Sequence, residues 1–404
     1  MRKNWTLLFA LLAIFSLVAA ACGSDDPVAT DDTPADEPET DEPEADEDPP
    51  AEEPDDSAGP ADFCLDIAGS DDATGDGSGV TVGMTFDLLG RGDQSFNDAA
   101  ACGLDRAVEV FGISFNEIVP TDESARETDL QLNAENATLV FGNGFSFRDG
   151  ALVVAEVNPD VHFAITDDTM LDFDTFEAAF PNAAGMTFAE QEGSFLVGVA
   201  AALQTESNKL GFIGGVSNIP GGLIERFEAG FIAGAKAVNP DIEFTSKYIT
   251  DFPTFDGFFA PDQGKEVALA MYSEGADVIY AAAGLTGSGM FAGAKEYTDE
   301  NGSKVWGIGV DSDQFLTVDG ELQEFVLTSM LKRVDVAVFQ MIEAELNGTF
   351  EAGNTLYDLA RGGVDYSKSG GFVDAYVAEI DGYKAQIIAG DIVVPVDPAE
   401  ALAG

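Results

Sequence analysis

From residue 80 onward, short apolar runs alternate with longer stretches in which apolar positions recur every three or four residues. The first run, 80–86, predicts a strand, and 97–111 predicts a helix closed by Gly112, a residue suited to a C-cap. Residues 137–141 and 161–165 predict further strands, and 192–204 an apolar helix rich in small residues. A strand over 209–213 and a helix over 223–238 follow, the helix closed by Asn239-Pro240. The pattern continues with a strand around Tyr248, a helix over 264–274, a strand over 278–282, a helix over 289–298, a strand over 305–310 and a long helix over 331–347. Strands alternating with helices at this spacing imply right-handed βαβ units and parallel sheets. The span from residue 63 is long enough for two α/β lobes, each a doubly wound parallel sheet with its own core. In such sheets ligands sit outside the carboxyl ends of the strands, so the residues ending each strand matter most.

The pattern before residue 80 is different. Arg2 and Lys3 precede an uncharged apolar stretch, 5–21, that ends in Leu17-Val18-Ala19-Ala20-Ala21 before Cys22. This reads as a secretory signal over 1–21. A cysteine directly after small residues resembles the bacterial lipobox, so Cys22 is the expected lipidation site and the chain is expected outside the cytoplasm, lipid-anchored to the cell membrane. An ordinary signal cleaved near Cys22, or a true membrane anchor, is the alternative. Residues 22–62 then form an acidic linker built almost entirely of Asp, Glu, Pro, Ala, Thr and Ser. It holds too little apolar matter to offset its ordering entropy and should act as an extended, disordered spacer. Residues 63–404 form the expected two-lobe part, lobe 1 at about 80–187 and lobe 2 at about 188–312, with the C-terminal remainder shared between them.

Charge and rare residues narrow the chemistry. The net charge is −56, of which the linker carries about a third. Nucleic acid is excluded as a partner, since its phosphates require a basic face. The two cysteines after Cys22, Cys64 and Cys102, are expected to pair, as leftover cysteines in exported proteins commonly do. His162 is the only histidine, and no cysteine lies in a metal-ligand spacing, so no metal, no cofactor and no histidine-based catalysis are expected.

Three predicted strands end in a carboxylate: Asp87, Asp167 and Asp311. A carboxylate there accepts hydrogen bonds from a polyol or a heterocycle, although Asp is equally a favoured helix N-cap. Between the first strand and first helix, the loop 90–98 places Phe96, a stacking face, beside Asn97, whose amide offers a donor and an acceptor together. The same two residues also suit a core position and an N-cap. Arg91-Gly92-Asp93 spells a cell-adhesion tripeptide that is common by chance and carries no weight. Two glycine-rich loops, 214–222 and 284–289, follow strands and allow close backbone approach to a ligand. Neither contains a phosphate-binding lysine motif or a dinucleotide fingerprint.

Taken in order, these segments resemble the basic membrane protein lipoproteins, whose best-known members are purine nucleoside receptors of ABC transporters. The resemblance rests on Val82-Gly83-Met84 with Asp87, on Asp93-Gln94-Ser95-Phe96-Asn97, and on the strand ending in Asp167. It continues through the Glu190 to Gly198 helix, Phe212-Ile213-Gly214-Gly215 with Phe227, Thr286-Gly287-Ser288-Gly289, the strand ending in Asp311, and Ser329 with Lys332. It spans about residues 80–350. The resemblance implies a type I periplasmic-binding-protein fold, with two lobes joined by crossing hinge strands, a nucleoside in the cleft and ABC permease subunits as partners. Under it, Phe96 stacks on the base while Asn97 and Asp167 bond its edge, and Asp87 supports that wall. Asp311 and Lys332 hold the ribose hydroxyls, and Gly284 contributes backbone. A second ring is expected after Tyr248, where 250–262 is longer and richer in Phe than the family pattern. Phe259 is the choice there, with Phe252, Phe255 and Phe258 as alternatives. A sugar or another small polar solute, or a surface lipoprotein without a transport role, are the competing readings. The chain is not expected to be an enzyme; a glycosidase-like carboxylate pair is the one version that composition leaves open.

Overall fold

The structure, a computed structural model, describes residues 63–403. Lobe 1 is built on β1 (Thr81–Thr85), β2 (Ser114–Ile118), β3 (Leu139–Gly142), β4 (His162–Thr166) and β5 (Ala183–Phe188), joined by α1 (Phe96–Phe111), α2 (Arg126–Ala134) and α3 (Arg148–Val157). Lobe 2 follows with α4 (Glu190–Gln204), β6 (Lys209–Ser217), α5 (Leu223–Val238), β7 (Glu243–Asp251), α6 (Pro261–Ser273), β8 (Val278–Ala282), α7 (Thr286–Asn301), β9 (Trp306–Asp311), α8 (Gln314–Thr317) and β10 (Val326–Lys332). After α9 (Val334–Leu346) the chain returns to the first sheet as β11 (Gly353–Tyr357), then to the second as β12 (Val364–Tyr366), and ends in α10 (Val377–Ile388) and α11 (Pro398–Ala403).

Each lobe therefore holds a six-stranded sheet, in order β11-β5-β4-β3-β1-β2 and β12-β10-β9-β8-β6-β7. All ladders are parallel except β10 with β12. Helices cover both faces, which is why β3 and β8 are buried at every position. These are the two doubly wound α/β lobes read from the sequence. The chain passes between the sheets three times, and the crossings bond one another: Ala189 N–H donates to Tyr357 O (3.0 Å), and Arg333 N–H to Gly363 O (2.9 Å).

One predicted element is corrected. The apolar run read as a helix over 331–347 is the end of β10, a break at Arg333, and then α9. Continuous apolar text does not distinguish a fully buried parallel strand from a buried helix, and here one runs into the other. Lys332 consequently ends a strand rather than opening a helix. The half-buried edge strand β2 and the Ala/Gly-rich β5 gave no strand signal either.

Packing within lobe 2 depends on glycine at one crossing. A Cβ on Gly230 would lie 2.1 Å from Gln191 O, and one on Gly234 would lie 2.0 Å from Phe195 O. Small residues thus let α4 and α5 touch backbone to backbone, fixing α4 at the point where it leaves lobe 1.

Cys64 and Cys102 are disulfide-bonded, with Cα atoms 5.5 Å apart, tying the start of the described residues to α1. The bridge closes a loop of sequence separation 38. Chain entropy assigns such a loop about 3–4 kcal/mol. Cys102→Ser should therefore lower the unfolding free energy by about that amount in urea titrations, and reductant should bring the parent protein down to the same midpoint.

Candidate functional site

The carboxyl ends of strands from both sheets open onto one cavity of about 690 Å³, counting space open to solvent. Asp87, Phe96, Asn97, Asp167, Phe259, Gly284, Asp311 and Lys332 all line it.

On the lobe 1 wall, the loop from β1 into α1 is folded by its own carboxylates. Asp93 accepts N–H bonds from Ser95 (2.9 Å), Asn97 (2.8 Å) and Asp98 (3.1 Å), and Asp98 accepts from Gly92 (2.7 Å) and Gln94 (2.9 Å). Burial pushes Asp93 up to about 7, against the amide bonds that favour its ionised form. Because Asp93 caps α1, the Asn97 side chain is released from that task. Its Oδ1 accepts from Asp87 N–H (3.2 Å) and Asn143 Nδ2 (3.0 Å). With the acceptor side occupied, the amide presents its N–H donors to the cavity. Beside it, Asp87 takes Arg126 at 2.7 Å on Oδ1. A Cβ added at Gly144, itself part of the lining, would lie 3.3 Å from Asp87 Oδ2, so the second oxygen borders the cavity.

The strand-end residues share a backbone device. Asp167 and Asp311 both have φ of +64°, in the left-handed region that Asp tolerates better than most residues, and Gly284 has φ of +54°. Each strand thus turns sharply at its end. None of the three carboxylates caps the helix after its strand: Asp87 is held by Arg126, Asp167 by Lys332 and Asp311 by Ser95.

At the centre, Lys332 Nζ lies 2.6 Å from Asp167 and 3.3 Å from Glu190, with all three side chains at most 6% exposed. Phe96, Phe188 and Phe227 surround the ammonium at 5.4, 5.1 and 5.6 Å from their ring centroids, a cation–π cage. Burial opposes the Lys332 charge, but Asp167, Glu190 and Asp311 outweigh it and push the amine up to about 12. Burial likewise raises Glu190 and Asp311 above the ordinary carboxylate range, with Lys332 pulling each back.

In the Phe-rich segment, Phe258 and Phe259 both reach the cavity. Phe255 does not. It packs across onto lobe 1, against Phe145 at 5.8 Å and under the Arg126 guanidinium at 5.7 Å, while Phe252 is 39% exposed. His162 is elsewhere, paired with Glu345 at 2.6 Å and stacked on Phe350. Among the described residues no group of His, Cys, Asp and Glu is placed to hold a metal ion. Sequence reasoning missed Phe145, Leu223, Ile224 and Phe227 as lining residues and Glu190 as a partner of Lys332. Leu223 opens α5, a helix start that was read correctly, and its place directly after a glycine-rich loop is the signal that could have marked it as a lining residue.

Comparison with known proteins agrees with this geometry. Residues 80–398 match the family model described as ABC transporter substrate-binding protein PnrA-like. The chain belongs to that family. Members are solute-binding proteins of ABC transporters rather than enzymes, so a small-molecule ligand and a permease partner come with membership. Among the relatives, the CD4+ T-cell-stimulating antigen of Listeria innocua is 39% identical over 336 residues, covering 79% of this chain and 88% of that one. The ABC transporter nucleoside-binding protein BmpA of Lactococcus lactis is 34% identical over 78% of this chain and 89% of its own. A solved ABC transporter solute-binding protein from Aeropyrum pernix superposes with a TM-score of 0.66 at 27% identity, covering 80% of this chain and 96% of that chain.

Proposed function

We propose that this PnrA-like protein is a lipid-anchored receptor that captures a nucleoside, with a purine as its base, and delivers it to an ABC permease. The observation that carries the reading is the lining of the cavity. Five phenyl rings, Phe96 and Phe145 from lobe 1 and Phe227, Phe258 and Phe259 from lobe 2, meet a few strongly polar groups there. Aromatic faces suit a flat heterocycle, each stack contributing about 1–3 kcal/mol. The Asn97 amide and Asp87 carboxylate offer a donor beside an acceptor, as a base edge requires. Asp311 and Lys332 suit vicinal hydroxyls, leaving an analogue without them with unpaired buried charge. A relative named for nucleoside binding supports the same assignment. In this reading Asp167 acts chiefly through Lys332, and Phe258 joins Phe259 as a stacking face.

Calorimetric titration with inosine is the test. Asp311→Ala should weaken binding by more than about 1.5 kcal/mol, the scale of a hydrogen bond to a charged group. An unchanged affinity would remove Asp311 from the ligand.

The anchor is proposed at Cys22, which lies outside the described residues. Each buried methylene of an attached acyl chain contributes about 0.8 kcal/mol, so two or more chains hold firmly. Changing Cys22 to Ser should move the protein from the membrane pellet to the supernatant. Continued pelleting would mean that residues 5–21 themselves hold it.

A further inference from the structure

Five hydrogen-bond contacts cross from lobe 1 to lobe 2 at one short loop, one of them a long 3.4 Å contact from Ser95 Oγ to Val310 O. Ser95 Oγ donates to Asp311 Oδ2 at 2.6 Å, and Ser312 Oγ donates to Ser95 O at 2.7 Å. Gln314 Nε2 (3.1 Å) and Thr317 Oγ1 (3.4 Å) both donate to Gln94 O. Gln94 has φ of +57°, which turns its carbonyl out of the loop.

Both halves of this clasp are built within their own lobes. On the lobe 1 side, Asp93 and Asp98 together hold the N–H groups of Gly92, Gln94, Ser95 and Asn97. On the lobe 2 side, Gln314 Oε1 accepts from Val310 N–H at 3.1 Å, and Gln314 N–H donates to Ser329 Oγ at 3.1 Å. The neighbouring Asp313 carboxylate accepts from Ser367 and Ser369 hydroxyls at 2.7 and 2.6 Å. Neither side has to order itself on meeting the other, so little side-chain entropy opposes the contact. Asp311 is the only carboxyl group in it, and Ser95 occupies just one of its oxygens. Asp311 Oδ1 receives no hydrogen bond from the described residues, and Asp311 lines the cavity.

We infer that Ser95 is a positioning residue: its hydroxyl locks onto Asp311 when the lobes close and turns the free carboxylate oxygen toward the ligand. The clasp thereby makes ligand recognition by Asp311 depend on closure. Arrival of ligand in an open cleft needs no clasp, whereas escape from a closed one requires breaking it, so its loss acts on dissociation. The inference rests on the ligand lying between the lobes; the nucleoside reading enters only through the probe.

The test uses the full chain with Ser95→Ala, Ser95→Thr and Ser312→Ala, and stopped-flow kinetics with inosine. Ser95→Ala should raise the dissociation rate at least about tenfold and leave association within about twofold, the pattern of a lost hydrogen bond to a charged group. Ser95→Thr, which keeps the hydroxyl, should restore most of the residence time. Ser312→Ala removes one clasp bond without touching the carboxylate and should raise dissociation only about threefold. An unchanged rate in Ser95→Ala, or a Thr variant no better than Ala, overturns the inference. Should inosine fail to bind the parent protein, the nucleoside reading fails, and hydrogen exchange without ligand decides the clasp alone. Amides of 92–98 and 312–317 should then exchange about tenfold faster in Ser95→Ala than in the parent and the Thr variant. Equal exchange in all three overturns it.

Discussion

Replacing Lys332 with Met should abolish ligand binding and lower stability at pH 7 by about 3–5 kcal/mol, the cost of removing one partner from a buried ion pair. Lys332 is the positive centre for Asp167, Glu190 and Asp311. Its loss leaves three carboxylates facing one another among Phe96, Phe188 and Phe227. Methionine keeps the length of the side chain, so the lost charge is what the comparison measures. The deficit should depend on pH in a defined direction. Glu190 and Asp311 are already raised by burial, and losing Lys332 raises them further. A carboxyl raised in the folded state contributes stability that is complete below its unfolded value near about 4 and is lost as pH rises through the folded value. The variant should therefore approach the parent in thermal scans between pH 7 and pH 5, without regaining ligand. A deficit that stays constant over that range would place the damage in packing instead.

Gly234→Val should produce the second large effect, a stability loss of about 3 kcal/mol together with weakened binding, although no atom of residue 234 lies in the cavity. The new side chain would meet Phe195 O, where the Cβ alone lies 2.0 Å away. Backbone has no rotamer with which to yield, so α4 and α5 must separate. Those helices carry Glu190 and Phe227, which both meet Lys332. Urea unfolding and inosine titration on the same preparation would measure both consequences. Loss of stability with binding intact would show that the two helices hold the lobe without holding the site.

Much of the site was legible because strand ends are local features. Asp87, Asp167 and Asp311 each follow an apolar run and precede a change in periodicity, and the loop around Asn97 declares itself by its glycines and carboxylates. The links between these residues were not legible. Lys332 contacts Asp167 and Glu190, and Ser95 contacts Asp311, across separations that no periodicity encodes. Lys332 itself was placed on the wrong element, because only the pair Lys332-Arg333 separates the apolar end of β10 from the apolar start of α9. The Phe-rich segment shows the same limit. Four phenylalanines lie within eight residues, and which of them enter the cavity depends on the short helical turn at Phe255–Phe258. That turn is pinned from outside by Thr286, whose hydroxyl donates to Gly257 O at 2.8 Å and accepts from Ala260 N–H at 2.8 Å.

Thermal unfolding of the purified protein against a panel of nucleosides, free bases, sugars and amino acids would show whether the cavity between the lobes takes a nucleoside. A ligand at about 100 times its dissociation constant adds roughly 2.7 kcal/mol, a readily measured shift. Nucleosides should stabilise the protein, free bases only weakly, and sugars and amino acids not at all. Stabilisation by sugars or amino acids with none from nucleosides would contradict nucleoside binding, and would remove the stacking roles assigned to Phe96, Phe258 and Phe259.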